Sequence, residues 1–454
     1  MIKKTKMVKK ILFSIILFSQ ITFGQNYVKG TMNPANSNQY NWVILYQLKG
    51  AKQVYIGNST LTNGAFKITI PATASKGVYR LMYKMDQKSQ VDFIYNKQNV
   101  ELTFNPKEPK TSVKFIVSDE NKLYSNYLIK ATALQQKLDS LQLEYFQLKD
   151  NKSKMEVSNL YSKTLKNYKE TEKSYQLNSE GLQASHFIKA NEIYFPSKLL
   201  KTPQEFLNSK KQHYFDFVNF EDKVLQNSIF ITEKVIDYVF YLSVSEDVSV
   251  QNSLYKQAIK EVEEKAGNDL LLKSDLLTTI LYNFNQQENA ALMQYVLNIY
   301  TKMPKEFQNL EVIKDTKNKL KLAIGNVAPD FSWQENGVTK KLSDLNIADH
   351  YILVFWSTTC SHCLHEIPLL HEFSKTLKNV HVIGFNLEKD DLGFKKYSKL
   401  YPEWTNVLGL NKWQNKTART YEIRATPTYF ILDKDKRIVA KPDHFEDVKA
   451  FFKN

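Results

Sequence analysis

Two cysteines placed three positions apart are the residues of this chain best suited to chemistry. Cys360 and Cys363 occur in the stretch FWSTTCSHCLHEIP and are the only cysteines in the 454-residue sequence. A Cys-x-x-Cys pair can form a redox-active disulfide, supply part of a metal site, attach a haem or close a small structural loop. The choice among these four roles determines the predicted function.

The neighbouring residues discriminate among the four roles. Haem attachment needs a histidine directly after the second cysteine, but that position is Leu364 and His365 comes one place later. A zinc site needs further ligands, and no second Cys-x-x-Cys or spaced histidine pair accompanies the pair. A structural staple is disfavoured because closing so short a loop removes little entropy from the unfolded chain. A redox couple is the favoured interpretation, metal binding and a staple are the alternatives, and neither a metal nor a cofactor is expected.

The local pattern predicts unequal thiols. Cys360 follows the apolar run YILVFW, a predicted buried strand, and begins a predicted helix that extends to about Leu377. Unpaired amides and the helix dipole favour an anion at a helix start, so Cys360 is predicted to ionise readily. Cys363 lies one turn further along, where it can attack a mixed disulfide formed at Cys360.

The chain consists of three segments that differ in their pattern of apolar and polar residues. Residues 25–118 alternate apolar and polar residues in short runs between turns, which predicts an all-β sandwich. Residues 119–322 have helical periodicity, with an apolar stripe at Leu134, Leu138, Leu141, Tyr145 and Leu148 that fits a core helix better than a coiled coil. Residues 325–454 alternate strands with helices, which predicts an α/β domain. The predicted fold class is therefore multidomain.

The N-terminus has the layout of a secretory signal. Residues 1–24 contain five lysines, a short apolar run from Ile11 to Phe18 and a small residue at Gly24. The run is shorter than the roughly 20 residues of a membrane-spanning helix, so we expect a signal peptide cleaved before Gln25. These features predict a location in the periplasm or cell envelope.

The charge of the chain suits that location. The formal net charge is +15, and five of the positive charges lie in the predicted signal peptide. Export argues against a nucleic-acid partner, whereas a basic surface is compatible with peripheral membrane contact through anionic envelope components. The sequence leaves the oligomeric state undetermined.

The C-terminal part resembles a known family. The segment from about Gly325 to Asn454 resembles the thioredoxin superfamily, specifically the TlpA-like exported thiol:disulfide oxidoreductases. The matching features are APDF at 328–331, FW at 355–356, the cysteine pair, Glu366, Pro368 and ATPT at 425–428. Residues before Gly325 resemble the uncharacterised N-terminal region of some exported thioredoxin-like proteins. The resemblance implies a thioredoxin fold, a Cys360–Cys363 disulfide, and exchange with cysteine-containing exported proteins and an upstream thiol donor or acceptor.

The resemblance also implies roles for individual residues. Pro427 matches the cis-proline that faces the disulfide, and Thr426 precedes it where the backbone pairs with a bound peptide. Trp356 belongs to the same predicted substrate-binding set. Glu366 matches a buried acid that exchanges a proton with Cys363; an exposed helix carboxylate is its alternative.

This chain departs from the family pattern at three positions. Thr359 stands where a tryptophan commonly precedes the first cysteine, and Val354 stands where thioredoxin proper often has an acid. His362, directly before the second cysteine, resembles more oxidising members and is predicted to stabilise the Cys360 thiolate.

The predicted function is thiol–disulfide exchange, with reduction favoured by the family context and oxidation or isomerisation by His362. One alternative is a periplasmic binding or scaffold protein with a vestigial thioredoxin domain. A thiol peroxidase is the other alternative, because APDF also opens peroxiredoxin domains. Leu353, however, stands where the peroxiredoxin pattern requires proline.

Overall fold

The computed structural model describes residues 25–35, 39–86, 88–242 and 244–453. The predicted signal peptide over 1–24 lies outside these residues, so it stays a prediction. Contacts divide the chain into two compact units, one ending at Phe230 and the other beginning at Ile231. Within the described residues, no helix has both the length and the apolar character needed to cross a membrane.

The first unit begins with two four-stranded sheets that share one core. The sheet orders are β4-β1-β7-β8 and β3-β2-β5-β6. Their alternating apolar residues, among them Val28, Leu45, Tyr79 and Leu102, form a single buried cluster, as two packed sheets require. The strands are β1 (Tyr27–Met32), β2 (Trp42–Lys49), β3 (Lys52–Thr60), β4 (Ala65–Thr69), β5 (Gly77–Met82), β6 (Gln90–Tyr95), β7 (Val100–Phe104) and β8 (Lys114–Val117).

Helices complete the first unit. They are α1 (Pro109–Ser112), α2 (Asp119–Gln147), α3 (Asn151–Asn178), α4 (Ala184–Asn191), α5 (Pro203–Gln212) and α6 (Lys223–Gln226). Helices α2 and α3 pack against each other through the predicted stripe, in which Leu138 and Leu141 are buried beside Tyr161 and Leu165 of α3. The stripe therefore belongs to a core helix pair.

Within the described residues, five α-helices precede the strands of the second unit, and the first of these helices starts at Phe230, the last residue of the first unit. These are α7 (Phe230–Ile236), α8 (Val248–Ala266), α9 (Leu270–Gln287), α10 (Ala290–Tyr300) and α11 (Leu310–Lys321). Helices α8 to α11 each begin after an aspartate or asparagine whose side chain accepts a hydrogen bond from a first-turn amide: Asp247, Asp269, Asn289 and Asn309. These caps satisfy amides that lack a partner inside the helix.

A mixed five-stranded sheet forms the C-terminal part of this unit. Its order is β13-β12-β11-β14-β15, with β11, β12 and β13 parallel and β14 antiparallel to β11. The elements are β9 (Ser332–Glu335), β10 (Val338–Lys341), β11 (His350–Trp356), α12 (Ser361–Ser374), β12 (Val380–Glu388), α13 (Leu392–Tyr397), β13 (Thr405–Leu410), α14 (Lys416–Thr420), β14 (Thr428–Asp433), β15 (Ile438–Ala440) and α15 (Phe445–Lys453).

Both faces of this sheet are covered, because its buried side chains fall into two separate apolar clusters. Leu353 and Phe355 of β11 belong to one cluster, whereas Val354 and Trp356 belong to the other together with Cys363 of α12. The predicted multidomain fold class is confirmed: a β-rich N-terminal region, central helices and a C-terminal α/β domain. The exact domain limits, 25–118, 119–322 and 325–454, stay predictions.

Candidate active site

Cys360 caps the helix that contains Cys363. The chain leaves β11 at Trp356, turns over three residues and enters α12, with the Cys360 amide donating to the Ser357 carbonyl over 3.2 Å. The Cys360 sulfur accepts a hydrogen bond from the Cys363 amide at 3.4 Å. A cysteine thus occupies the capping position that serine or aspartate usually fills, which directs first-turn amides at its sulfur.

The two thiols differ in burial and in acidity. Burial alone raises the pKa of the partly exposed Cys360, but hydrogen bonds from the Cys363 thiol, the Thr426 side chain and the amides of Cys363 and His362 outweigh it and lower that pKa. Cys363 is fully buried, and burial together with the hydrogen bond to Cys360 raises the pKa of its thiol to about 12. Cys360 is therefore the better nucleophile, while Cys363 keeps its proton near neutral pH.

The loop before β14 faces this pair. The Thr426–Pro427 peptide bond is cis. Both cysteines are free thiols, and the Cys360 thiol donates a hydrogen bond to the Thr426 carbonyl over 3.2 Å. Only the protonated thiol can donate, so ionisation of Cys360 gives up this contact and leaves the carbonyl available as a backbone acceptor.

Glu366 is half-buried on α12 and is held from two sides. Its Oε2 atom accepts hydrogen bonds from the Tyr429 hydroxyl over 2.8 Å and from the Phe445 amide over 3.1 Å. Glu366 was predicted from the sequence, whereas Tyr429 was not. The available signal was the position of Tyr429 two residues after Pro427, since alternate residues of a strand share a face.

His362 and Trp356 differ in their exposure to solvent. The His362 side chain is exposed, and its backbone amide is the group that contributes a hydrogen bond to the Cys360 sulfur. Trp356 is only 1% exposed and packs edge-on against Tyr397 and Tyr401 in the core. A direct contact between Trp356 and a substrate is incompatible with that burial, so this prediction is corrected: Trp356 supports the loop before Cys360 from within the core.

Two further side chains support that loop and were missed from the sequence. The Thr358 amide donates to Oε1 of the buried Glu388 over 2.6 Å, and Lys412 Nζ donates to the Thr359 hydroxyl over 2.8 Å. Glu388 ends β12, and Lys412 follows the end of β13. The carboxyl ends of parallel strands lie at one edge of a sheet, so charged residues at or just after the ends of strands were the available signal.

Across the described residues, no group of three or more histidine, cysteine, aspartate or glutamate side chains is arranged to hold a metal ion. His371, which lies further along α12, contacts Glu403 through Nε2 over 2.7 Å. Its ring also packs against Tyr401 and Trp404.

Comparisons with known proteins identify the class of this domain. A thioredoxin-like family model matches residues 349–438. The chain is 30% identical over 127 residues to the thiol-disulfide oxidoreductase ResA of a Bacillus cereus strain, covering 27% of this chain and 72% of that protein. It is 29% identical over 118 residues to the thiol:disulfide interchange protein DsbE of Xylella fastidiosa, covering 24% of this chain and 56% of that protein.

Among solved structures, a thiol-disulfide oxidoreductase from Bacteroides fragilis NCTC 9343 matches with 25% identity and a TM-score of 0.25. The match covers 28% of this chain and 98% of that one. The chain belongs to the thioredoxin superfamily, among its TlpA-like members. Its activity is that of a thiol:disulfide oxidoreductase.

Proposed function

We propose that this protein is exported and reduces disulfides in cysteine-containing exported proteins, with Cys360 as the attacking thiol and Cys363 as the resolving thiol. One observation carries the proposal: a partly exposed thiol with a lowered pKa lies one helical turn from a fully buried thiol whose pKa is raised to about 12. The exposed thiolate can reach a substrate, whereas the buried thiol can reach only its neighbour.

The reaction has two steps. The Cys360 thiolate attacks one sulfur of the substrate disulfide, forming a mixed disulfide and releasing one substrate thiolate. Cys363 then gives up its proton and attacks the Cys360 sulfur, which forms the Cys360–Cys363 disulfide and releases the second substrate thiolate. The substrate gains two electrons from the dithiol, and an upstream thiol donor must restore the dithiol for the next cycle.

The surrounding residues have distinct roles in this proposal. Amides at the start of α12 stabilise the Cys360 thiolate, and the cis Thr426–Pro427 segment presents a backbone carbonyl beside it. An extended peptide can pair with such a backbone edge. Glu366 accepts the proton that Cys363 releases. We assign the exposed His362 ring a smaller, electrostatic part in stabilising the thiolate.

Trapping in the full-length protein tests the proposal. Cys363→Ser should accumulate mixed disulfides between Cys360 and substrate proteins, visible as adducts that dithiothreitol removes. Cys360→Ser and the double serine variant are the matched controls, and neither should form adducts. Adducts through Cys363 in the Cys360→Ser variant would contradict the assigned roles, and a biological role unaffected by either substitution would favour the scaffold alternative.

Direction and location need separate measurements. The lowered pKa of Cys360 stabilises the reduced enzyme and by itself favours oxidation, so the assignment of reduction depends on the family. A reduction potential near the roughly −270 mV of thioredoxin would support a reductase, and one near about −120 mV would support an oxidase. Fractionation of the source cells should place the protein in the periplasm or envelope, and a cytosolic location would overturn export.

A further inference from the structure

The buried Tyr429 and the half-buried Glu366 form a hydrogen-bonded pair in the same part of the domain as the resolving thiol. Tyr429 is 1% exposed, and its hydroxyl donates to Glu366 Oε2 over 2.8 Å. The Phe445 amide, at the first residue of α15, donates to the same oxygen over 3.1 Å. Within the described part of the chain, hydrogen bonds to this carboxylate all end on Oε2, so Oε1 is left for proton transfer.

Three elements fix the geometry of this pair. Glu366 lies on α12, one turn after Cys363, while Tyr429 lies on β14 and Phe445 begins α15. Strand pairing sets Tyr429 directly opposite Val354 of β11, and both side chains belong to the same buried cluster as Cys363. Tyr429 therefore lies beside Val354, the position at which thioredoxin proper often has an acid, and its hydroxyl comes from the neighbouring strand β14.

The hydroxyl of Tyr429 is also held in its donor form. Burial, the hydrogen bond to Glu366 and the nearby charges of Glu366 and Cys363 all raise the pKa of Tyr429. A tyrosine that stays protonated at neutral pH can only donate to a carboxylate. The Tyr429 hydroxyl is thereby fixed as the donor, and Glu366 Oε2 as the acceptor, of this hydrogen bond.

We propose that Tyr429 is a positioning residue that holds the Glu366 carboxylate, through Oε2, for proton transfer between Oε1 and Cys363. This inference rests on the proposed role of Glu366 as proton acceptor. In the resolving step, the Cys363 thiol proton moves to Glu366 as the Cys363 sulfur bonds to the Cys360 sulfur. The Cys360–substrate S–S bond breaks, its electron pair leaves with the substrate thiolate, and the proton passes on to solvent. In the reverse direction, Glu366 returns a proton to the departing Cys363 thiolate.

Tyr429→Phe is the informative variant because it removes the hydroxyl and keeps the aromatic ring in the core. Tyr421→Phe is its matched control. Tyr421 is also a buried tyrosine of this domain, but its hydroxyl donates to the Pro329 carbonyl and its ring lies in the cluster on the other face of the sheet. Glu366→Gln tests the carboxylate itself.

The two steps can be timed separately in the full-length protein with 5,5′-dithiobis(2-nitrobenzoate). Attack by Cys360 releases the first coloured thiolate, and attack by Cys363 releases the second. This leaving group departs without needing a proton, so the second phase reports deprotonation of Cys363. Tyr429→Phe should leave the first phase within about twofold and slow the second roughly tenfold, the scale of one lost hydrogen bond to a charged group.

The controls separate failure of this inference from failure of the proposed function. Tyr421→Phe should leave both phases within about twofold, and Glu366→Gln should slow the second phase by at least as much as Tyr429→Phe, within the range of general acid–base effects. A slow second phase in Glu366→Gln with an unchanged one in Tyr429→Phe would overturn the role of Tyr429 alone. An unchanged second phase in Glu366→Gln would overturn the proton role of Glu366.

A measurement on the protein without substitutions tests the inference even if a variant does not fold. An infrared difference spectrum between the oxidised and reduced protein should contain a Glu366 carboxyl band together with a tyrosine ring band, the latter identified by ring-deuterated tyrosine. Coupled bands support the inference. A carboxyl band without any tyrosine band would overturn it.

Discussion

The Cys363 amide donates a hydrogen bond to the Cys360 sulfur over 3.4 Å, although burial separates the acidities of the two thiols. The pKa of Cys360 is lowered, while that of Cys363 is raised to about 12. A lower pKa gives a larger thiolate fraction at a given pH, so Cys360 should react faster at neutral pH than an ordinary thiol. One helical turn thus contains a thiol that ionises readily and a thiol that keeps its proton near neutral pH.

Alkylation should follow this asymmetry. In the reduced full-length protein, the rate of the iodoacetamide reaction at Cys360 should rise with pH and have its midpoint below pH 9.0, the ordinary thiol pKa, because the thiolate is the reactive form. Cys363 should stay largely unmodified up to the onset of alkaline unfolding, since its pKa is about 12. Mass spectrometry of the two sites against pH measures both. Equal labelling of Cys363 and Cys360 at neutral pH would contradict the assignment.

Two substitutions at position 362 should separate the backbone amide from the imidazole ring. His362→Pro removes the amide that hydrogen-bonds to Cys360, and proline is tolerated in the first turn of a helix. His362→Ala keeps the amide and removes the ring. We expect alkylation of Cys360 at neutral pH to slow about tenfold in the proline variant and by less in the alanine variant. Equal slowing in both would make the ring the stabilising group.

Glycines weaken the local sequence signal of two strands, β1 and β13. β1 contains Gly30 and β13 contains Gly409, and glycine in a short run suggests a turn. A Cβ atom at Gly30 would lie 2.3 Å from Cζ of Phe66, its partner on β4, and one at Gly409 would lie 2.3 Å from Cε1 of Phe385 on β12. Both glycines accommodate an aromatic ring from the neighbouring strand. That requirement comes from a distant part of the chain and leaves no local signal.

The same division between local and distant information applies to the site. The order of strand, cysteine pair and helix is local, so YILVFW and the residues after Cys360 predicted β11 and α12 within a few residues. The contact of Glu366 with Tyr429 joins two residues that are 63 positions apart in the chain. It depends on how β14 pairs with β11. Burial of Trp356 likewise depends on aromatic residues that follow β12. The local sequence indicated which residues react, but it did not indicate which residues fix the positions of the reacting side chains.

Gly393 should be needed for the shape of the loop before Cys360. A Cβ atom at Gly393 would lie 2.2 Å from the Thr358 hydroxyl oxygen, which is closer than any packed contact allows. Gly393→Ala should therefore displace Thr358 and slow the attack of Cys360 on a disulfide several-fold, with little change in overall folding. Stopped-flow measurement of the first exchange step provides the test.

The double variant Gly393→Ala/Thr358→Ala serves as the control. It removes the hydroxyl and the methyl group of Thr358, so only the Cβ contact at 3.0 Å remains. We expect the double variant to recover most of the lost rate, a non-additivity typical of two groups in contact. A Gly393→Ala variant with an unchanged rate, or a double variant that is no faster, would show that α13 does not constrain the loop.

Asn121 of α2 should stabilise the edge of the N-terminal sheets. The side chain is 2% exposed; its amide donates to the Ile94 carbonyl over 2.7 Å, and its oxygen accepts from the Ile94 amide over 2.8 Å. Because β6 is an edge strand, Asn121 takes the place of a further strand at this point. Asn121→Leu would leave both backbone groups of Ile94 buried without their partners, which should cost about 3 kcal/mol.

Hydrogen exchange in the full-length protein can detect that loss. Amides of β6 should exchange on the order of a hundredfold faster in Asn121→Leu, since about 1.4 kcal/mol corresponds to a factor of ten. Asn208→Leu is the matched control, because Asn208 is exposed on α5 and accepts a surface hydrogen bond from Gln204. Its effect should stay within about 0.5 kcal/mol. Equal protection of β6 in both variants would mean that helix packing, rather than the Asn121 side chain, maintains this edge.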